Sequence, residues 1–140
     1  MLDNKDKTIL DILEKNARTS YTDIAKTLNL SEAAIRKRIK KLEDQKVILG
    51  YKASVNYKKL GFSNKVVMGV DTNSKDYFKV INKLKELKFV KELTTSSGDH
   101  MIMFNVWVKN MDELNSYSEI INNIDGVTES CPSILHESIK

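Results

Sequence analysis

Residues 31–43 read SEAAIRKRIKKLE. Ile35, Ile39 and Leu42 recur at i, i+4 and i+7, a spacing that predicts one amphipathic helix with a single apolar stripe. Ser31, just ahead of it, carries the hydroxyl that caps a helix N-terminus. Arg36, Lys37, Arg38, Lys40 and Lys41 put five cations within six residues, and no acid lies between Glu32 and Glu43. An ordinary solvated helix face mixes signs, because i, i+4 pairs of opposite charge support the helix. With Ile35 and Ile39 held inward, most of these cations should project to solvent, where they suit phosphates.

Upstream, Ile9, Ile12 and Leu13, with Leu2 before them, fall at helical spacing and Asn16 can end the helix. SYTDIAKTLNL then places Ile24, Ala25 and Leu28 on one face, with a capping side chain between Ser20 and Thr22. Asn29, Leu30 and Ser31 break the pattern before the third helix resumes it. A helix, a tight turn and a longer helix make a helix-turn-helix, whose second member lies in the DNA major groove. Ala33 and Ala34 open that helix without bulk, so its N-terminal end can approach base edges and a thymine methyl.

The charge distribution agrees. Residues 1–60 hold 14 Lys and Arg against 8 Asp and Glu, a net of +6, whereas residues 61–140 hold 9 against 11, a net of −2. A polyanion-binding front end is thus followed by a near-neutral module, and we place the boundary near residue 60. The single Cys, Cys131, permits neither an intrachain disulfide nor a cysteine zinc cluster. No run approaches the roughly 20 apolar residues that span a bilayer, and no signal peptide is evident, so a soluble, cytoplasmic protein with no membrane partner is expected.

The stretch NARTSYTDIAKTLNLSEAAIRKRIKKLEDQKVILGYKASVN closely resembles the Lrp/AsnC, or feast/famine, family of transcription regulators. The family's pattern is met by Asn16, Arg18, Ile24, Ala25, Leu30, Ser31, Ile35, Lys37, Arg38, Ile39, Leu42, Glu43, Val47, Ile48, Gly50 and Tyr51. Ala33 stands where relatives commonly have a serine, and Lys37 where they have arginine. The second change bears on base choice, since a bidentate arginine and a monodentate lysine read guanine differently. The family's DNA-binding domain implies a winged-type helix-turn-helix. Its C-terminal module implies a ferredoxin-like domain for dimerisation and effector binding.

The remaining sequence supports that architecture independently. Val47 to Val55 reads as a strand leaving the first domain, and YKKLG as a polar connector. Beyond it come a strand (FSNKVVMGVDT), a helix (SKDYFKVINKLKELK), two strands (FVKELTTSS and HMIMFNVWVK), a helix (MDELNSYSEIINNI) and a strand (GVTESCPSILHE). The order is βαββαβ, so the fold class is α+β with an antiparallel ferredoxin-like sheet. Leu87-x-x-Val90-x-Glu92 and Ile124-x-x-Val127-x-Glu129 form a faint internal echo, each joining a helix end to the next strand. In HMIMFNVWV, His100, Ile102, Phe104, Val106 and Val108 should face one way and Met101, Met103, Asn105 and Trp107 the other. Both faces are largely apolar, and two helices cover only one, so a second copy's sheet is the expected cover and a homodimer the expected state. The chain's own N-terminal segment is the alternative cover.

TSSGDHMIM at 95–103 sets His100 beside Asp99 and Gly98. With His136 far along the chain and no flanking ligand pattern, a metal site is not expected, and neither Ser96 nor Ser97 sits in a nucleophile elbow. No glycine-rich phosphate loop occurs, so no nucleotide cofactor is expected. Gly98 and Asp99 read as a two-residue hairpin turn. The resemblance also places an amino-acid effector near this turn, which makes Gly98, Asp99, His100 and Met101 the effector candidates, with Met101 where many relatives carry an acid. DNA candidates are Ser31 at the helix start, Ala33, Ala34 and Lys37 for base-edge approach, and Arg36, Arg38, Lys40 and Lys41 mainly for phosphate. Double-stranded DNA is the expected partner of a homodimer or, by resemblance, of an assembly as large as an octamer. The other classes are a DNA-packaging architectural protein and a haem-pathway decarboxylase of related architecture; against the latter, Arg18, Arg36 and Arg38, the only arginines, lie in the DNA-binding part.

Overall fold

The computed structural model describes residues 1–137 and 139 and divides into two compact units, Met1–Ser54 and Val55–Lys140. The division falls short of the expected residue 60 for a physical reason. The 3-10 turn Tyr57–Leu60 belongs to the second unit, because the Tyr57 ring stacks on Trp107 at 4.4 Å and meets Phe62 edge-on at 5.9 Å.

In the first unit, α1 (Asn4–Lys15), α2 (Tyr21–Leu28) and α3 (Glu32–Asp44) enclose Ile9, Leu13, Ile24, Ala25, Ile35, Ile39 and Leu42. Each helix starts at a residue suited to it. Asp3 and Asp6 form a reciprocal capping box, Ser20 accepts from the Asp23 amide, and Ser31 accepts from the Ala34 amide at 3.2 Å. Asn29 enters the left-handed region at φ 52°, which stops α2 and turns the chain into α3. Ile35, Ile39 and Leu42 are at most 1 % exposed. Rotating α3 to bring its cations inward would forfeit about 2 kcal/mol for each of them, so the apolar stripe fixes which face is presented.

The strand expected at Val47–Val55 is not formed. Lys46 takes φ 58°, and the amides of Val47 and Ile48 both donate to the Leu42 carbonyl, at 2.9 and 3.1 Å, so the segment first serves to end α3. Beyond Ile48 the backbone finds no strand in this unit to pair with.

The second unit contains β1 (Asn64–Thr72), α4 (Tyr77–Glu86), β2 (Lys91–Thr95), β3 (Ile102–Val108), α5 (Met111–Asn122) and β4 (Val127–Leu135). All pairings are antiparallel in the order β2-β3-β1-β4, the expected ferredoxin-like arrangement. Val66, Met68 and Val70 of β1 and Ile102, Phe104, Val106 and Val108 of β3 face Val80 and Leu84 of α4 and Leu114 and Ile121 of α5 in one core. The internal echo has a structural counterpart: Val90 donates to the Leu87 carbonyl and Val127 to that of Ile124, both at 3.1 Å, so the same turn leads from each helix into its strand.

Two local expectations fail in β3 and its approach. The hairpin is not a two-residue turn; it runs from Ser96 to Met101, closed by the Ser96 amide on the Met101 carbonyl at 2.9 Å. A tight type I′ turn would need positive φ at both central residues, and neither Gly98 nor Asp99 has it. Alternation also stops at Ile102, where the strand begins. His100 therefore does not join Ile102 and Phe104 in the core; its ring lies over Gly69, where a Cβ would come within 2.2 Å of the imidazole.

Candidate nucleic-acid interface and ligand loop

The outward face of α3 is not uniform. Arg38 is a correction to the expected phosphate contacts: its guanidinium holds Asp3 at 2.7 Å and Asp6 at 2.6 Å, and Asp6 is only 4 % exposed. The Asp6 hydrogen bond, then that of Asp3, raises the Arg38 pKa. The Asp6 amide first, and Arg38 second, lower that of Asp3. A cation so committed is a brace between the start of α1 and the middle of α3.

Arg36 pairs with Glu32 at 3.2 Å, and its guanidinium lies 5.1 Å from the centre of the Tyr21 ring. Glu32 also accepts from the Thr22 hydroxyl at 3.0 Å, so α2 and α3 are knitted together at the surface. Lys40 reaches Asp44 at 3.6 Å. These i, i+4 pairs are exposed, worth about 0.3–0.5 kcal/mol, and readily exchanged for phosphate. Lys37 and Lys41 are exposed and have no acidic partner among the described residues. Ala33 is exposed and Ala34 half-buried beside the capping Ser31, so the N-terminal end of the helix is slim and open. Past α3, the Tyr51 hydroxyl donates to Glu43 at 2.8 Å, and burial, then that bond, push its pKa up to about 12.

In the second unit Asp71, which carries no local sequence signal, holds the loop that follows β2. One of its oxygens accepts from the Met101 amide at 2.9 Å and the other meets His100 Nδ1 at 2.7 Å, so both are occupied by the loop at 96–101. The His100 hydrogen bond lowers the Asp71 pKa and, reciprocally, Asp71 raises that of His100. Asp99, the sequence neighbour, is not that partner; it is exposed and its carboxylate makes no hydrogen bond among the described residues. Gly98 donates its amide to Ser96 Oγ at 3.0 Å. Cys131 lies across from Gly69 on the edge strand β4, with Sγ 3.4 Å from Glu129, which raises the thiol pKa and makes it a poor nucleophile. No group of three or more side chains that could hold a metal ion occurs among the described residues.

The arrangement brings Gly98, Asp99, His100 and Met101 together on one loop, braced by Asp71. It leaves Ser31, Ala33, Ala34, Arg36, Lys37, Lys40 and Lys41 along the accessible side of α3. Asp71 gave no local signal, because the register that brings it to His100 exists only in the folded sheet. The partners of Arg38 were hidden likewise, in a helix that charge spacing along α3 does not report.

The comparisons match both units. Residues 2–43 fit the AsnC-type helix-turn-helix domain and residues 65–140 the Lrp/AsnC ligand binding domain. The chain is 52 % identical to the HTH-type transcriptional regulator LrpA of Pyrococcus abyssi over the whole of both proteins. It is 39 % identical to LrpA1 of Halobacterium salinarum, covering 99 % of this chain and 98 % of that one. Among solved structures, AsnC of E. coli superposes with a TM-score of 0.88 at 30 % identity, covering 100 % and 95 % of the two chains. From the match of its C-terminal unit and the identity to LrpA along its full length, the chain belongs to the Lrp/AsnC family of transcription regulators.

Proposed function

We propose that this regulator binds specific double-stranded DNA as a homodimer, with α3 in the major groove of each half-site. The carrying observation is the accessible side of α3, where Lys37 and Lys41 have no acidic partner among the described residues and stand behind a slim N-terminal end made by Ala33 and Ala34. Ala33, Ala34 and Lys37 approach base edges; Arg36, Lys40 and Lys41 neutralise phosphates, and Arg38 positions the helix.

Dimerisation is supported by the sheet face opposite α4 and α5. Val67, Met103, Trp107 and Leu135 belong to that face by register, and Leu135 is 45 % exposed. Apolar residues there gain from a second sheet, and a two-fold pair of helix-turn-helix units suits a pseudo-palindromic operator. Larger assemblies, up to an octamer, build on the same dimer. An amino-acid-like effector at Gly98–Met101 would find the Asp99 carboxylate for its amino group, whereas Asp71 is already engaged. Among the described residues no helix is long and apolar enough to cross a membrane, and a chromosomal target puts the protein in the cytoplasm.

Titrating the protein against its own promoter fragment and unrelated DNA, at two salt concentrations, tests this function. Preference for the promoter fragment at both salts is expected. Equal affinity for the two would replace regulation by unspecific packaging, and binding to neither would refute a DNA function.

A further inference from the structure

The ligand-binding unit has a charge segregation that helix-turn-helix binding does not use. Residues 75–91 contain six of the nine lysines of residues 61–140 and only two of their eleven acids, a net of +4, while the rest of that stretch carries three lysines and nine acids. All six lysines, Lys75, Lys79, Lys83, Lys85, Lys88 and Lys91, are exposed, on or beside α4. The helix buries Val80 and Leu84 and so turns its cationic side outward. Lys79 pairs with Asp125 and Lys83 with Glu86, while Lys75, Lys85 and Lys88 have no acidic partner among the described residues. Exposed pairs of this sort are weak and give way to a stronger anion.

We propose that the outer side of α4, with the turns that precede and follow it, forms a second DNA-contacting surface, which holds phosphates flanking the operator. The ten residues of α4 span about 15 Å, along which one DNA strand presents about four phosphates, and the turns at its two ends carry Lys75 and Lys88 beyond that span, so there is a phosphate for each of Lys75, Lys85 and Lys88. A second copy offers a poorer counterpart. Of the nine acids elsewhere in residues 61–140, Asp71, Glu92, Glu113, Asp125 and Glu129 face His100, Lys65, Tyr117, Lys79 and Cys131, and Asp99, Asp112, Glu119 and Glu137 are spread singly along the sequence rather than in a row. DNA supplies an unbroken row of charge with no such commitments, and contacts of this sort extend the bound length without adding base choice.

The proposal rests on the DNA-binding function above, and the experiment separates the two. The full-length protein and the variant K75Q/K85Q/K88Q are titrated over a range of salt against a duplex of operator length and a longer duplex with the same operator at its centre. Wild type should show the steeper salt dependence on the longer duplex. The variant should match wild type on the short duplex. On the long one its slope should fall by up to about 2.7 per protomer, 0.9 for each lost phosphate contact, with at least about tenfold weaker binding at 0.1 M salt. An equal slope on both duplexes for wild type, or an unchanged slope for the variant, overturns the second surface while leaving operator binding intact. A change in assembly mass by light scattering with unchanged slopes assigns α4 to contact between copies and overturns the proposal as well. Failure of wild type on both duplexes removes the function beneath it.

Discussion

Replacing Arg38 by methionine tests whether this cation braces the fold or binds phosphate. The substitution leaves Asp6, 4 % exposed, without the guanidinium that faces it at 2.6 Å. Removing one member of a buried ion pair costs about 3–5 kcal/mol, because the other charge stays poorly solvated. The low end applies, since Arg38 is itself 29 % exposed and Asp6 keeps a hydrogen bond from the Asp3 amide at 3.2 Å. A loss of about 3 kcal/mol lowers the folded-to-unfolded ratio roughly a hundredfold. In so small a unit it lowers Tm by about 12 °C or more. The assay can resolve the two units, because the only tryptophan, Trp107, lies on β3 in the second. Far-UV circular dichroism should report early loss of helix, while the Trp107 fluorescence transition stays in place. The double variant R38M/D6L should recover most of the loss, as apolar replacement of a buried pair is nearly neutral. It should also keep the wild-type salt slope on DNA. A Tm shift under about 4 °C, a double variant as unstable as the single one, or a lowered salt slope would each refute the brace.

Lys41→Ala should behave in the opposite way, leaving stability within about 0.5 kcal/mol while lowering the salt slope of DNA binding by about 0.9, and an unaltered slope would remove Lys41 from the interface. His100 should titrate above the ordinary 6.5 because Asp71 favours its charged form, so its stabilising share is complete below 6.5 and lost as pH rises through the folded value. Asp71, held below 3.8, contributes above that value and loses its share as pH falls through its folded pKa. The His100 ring resonances followed by NMR should return to a midpoint near or below 6.5 in Asp71→Asn; an unmoved midpoint would break the assignment of that pair.

Much of the architecture was legible because the core is local and periodic. Ile35, Ile39 and Leu42 define α3 and the face it buries, Ser31 marks its start, and the alternation from Ile102 to Val108 defines β3 and its two sides. Even the weak echo at Leu87 and Ile124 records a repeated turn. What escaped depends on contacts that sequence spacing does not encode. Arg38 looked like its neighbours, since a cation at the edge of the apolar stripe differs from a free one only when Asp3 and Asp6 arrive from another helix. Val47 to Val55 had strand composition, but a strand exists only against an edge, and the first unit provides none. His100 seemed to continue β3 because alternation was counted past the point where Asp71 draws the Met101 amide and the imidazole out of strand geometry.

Whether a two-fold protein reads DNA through α3 is decided by selecting bound sequences from a pool of random duplexes. The enriched motif should be two inverted, related half-sites with centres about 10 base pairs or a multiple apart, lost from the selection when Lys37 and Lys41 are both replaced by alanine. A pool that gains affinity without any shared sequence, or a motif unaffected by that replacement, would contradict it.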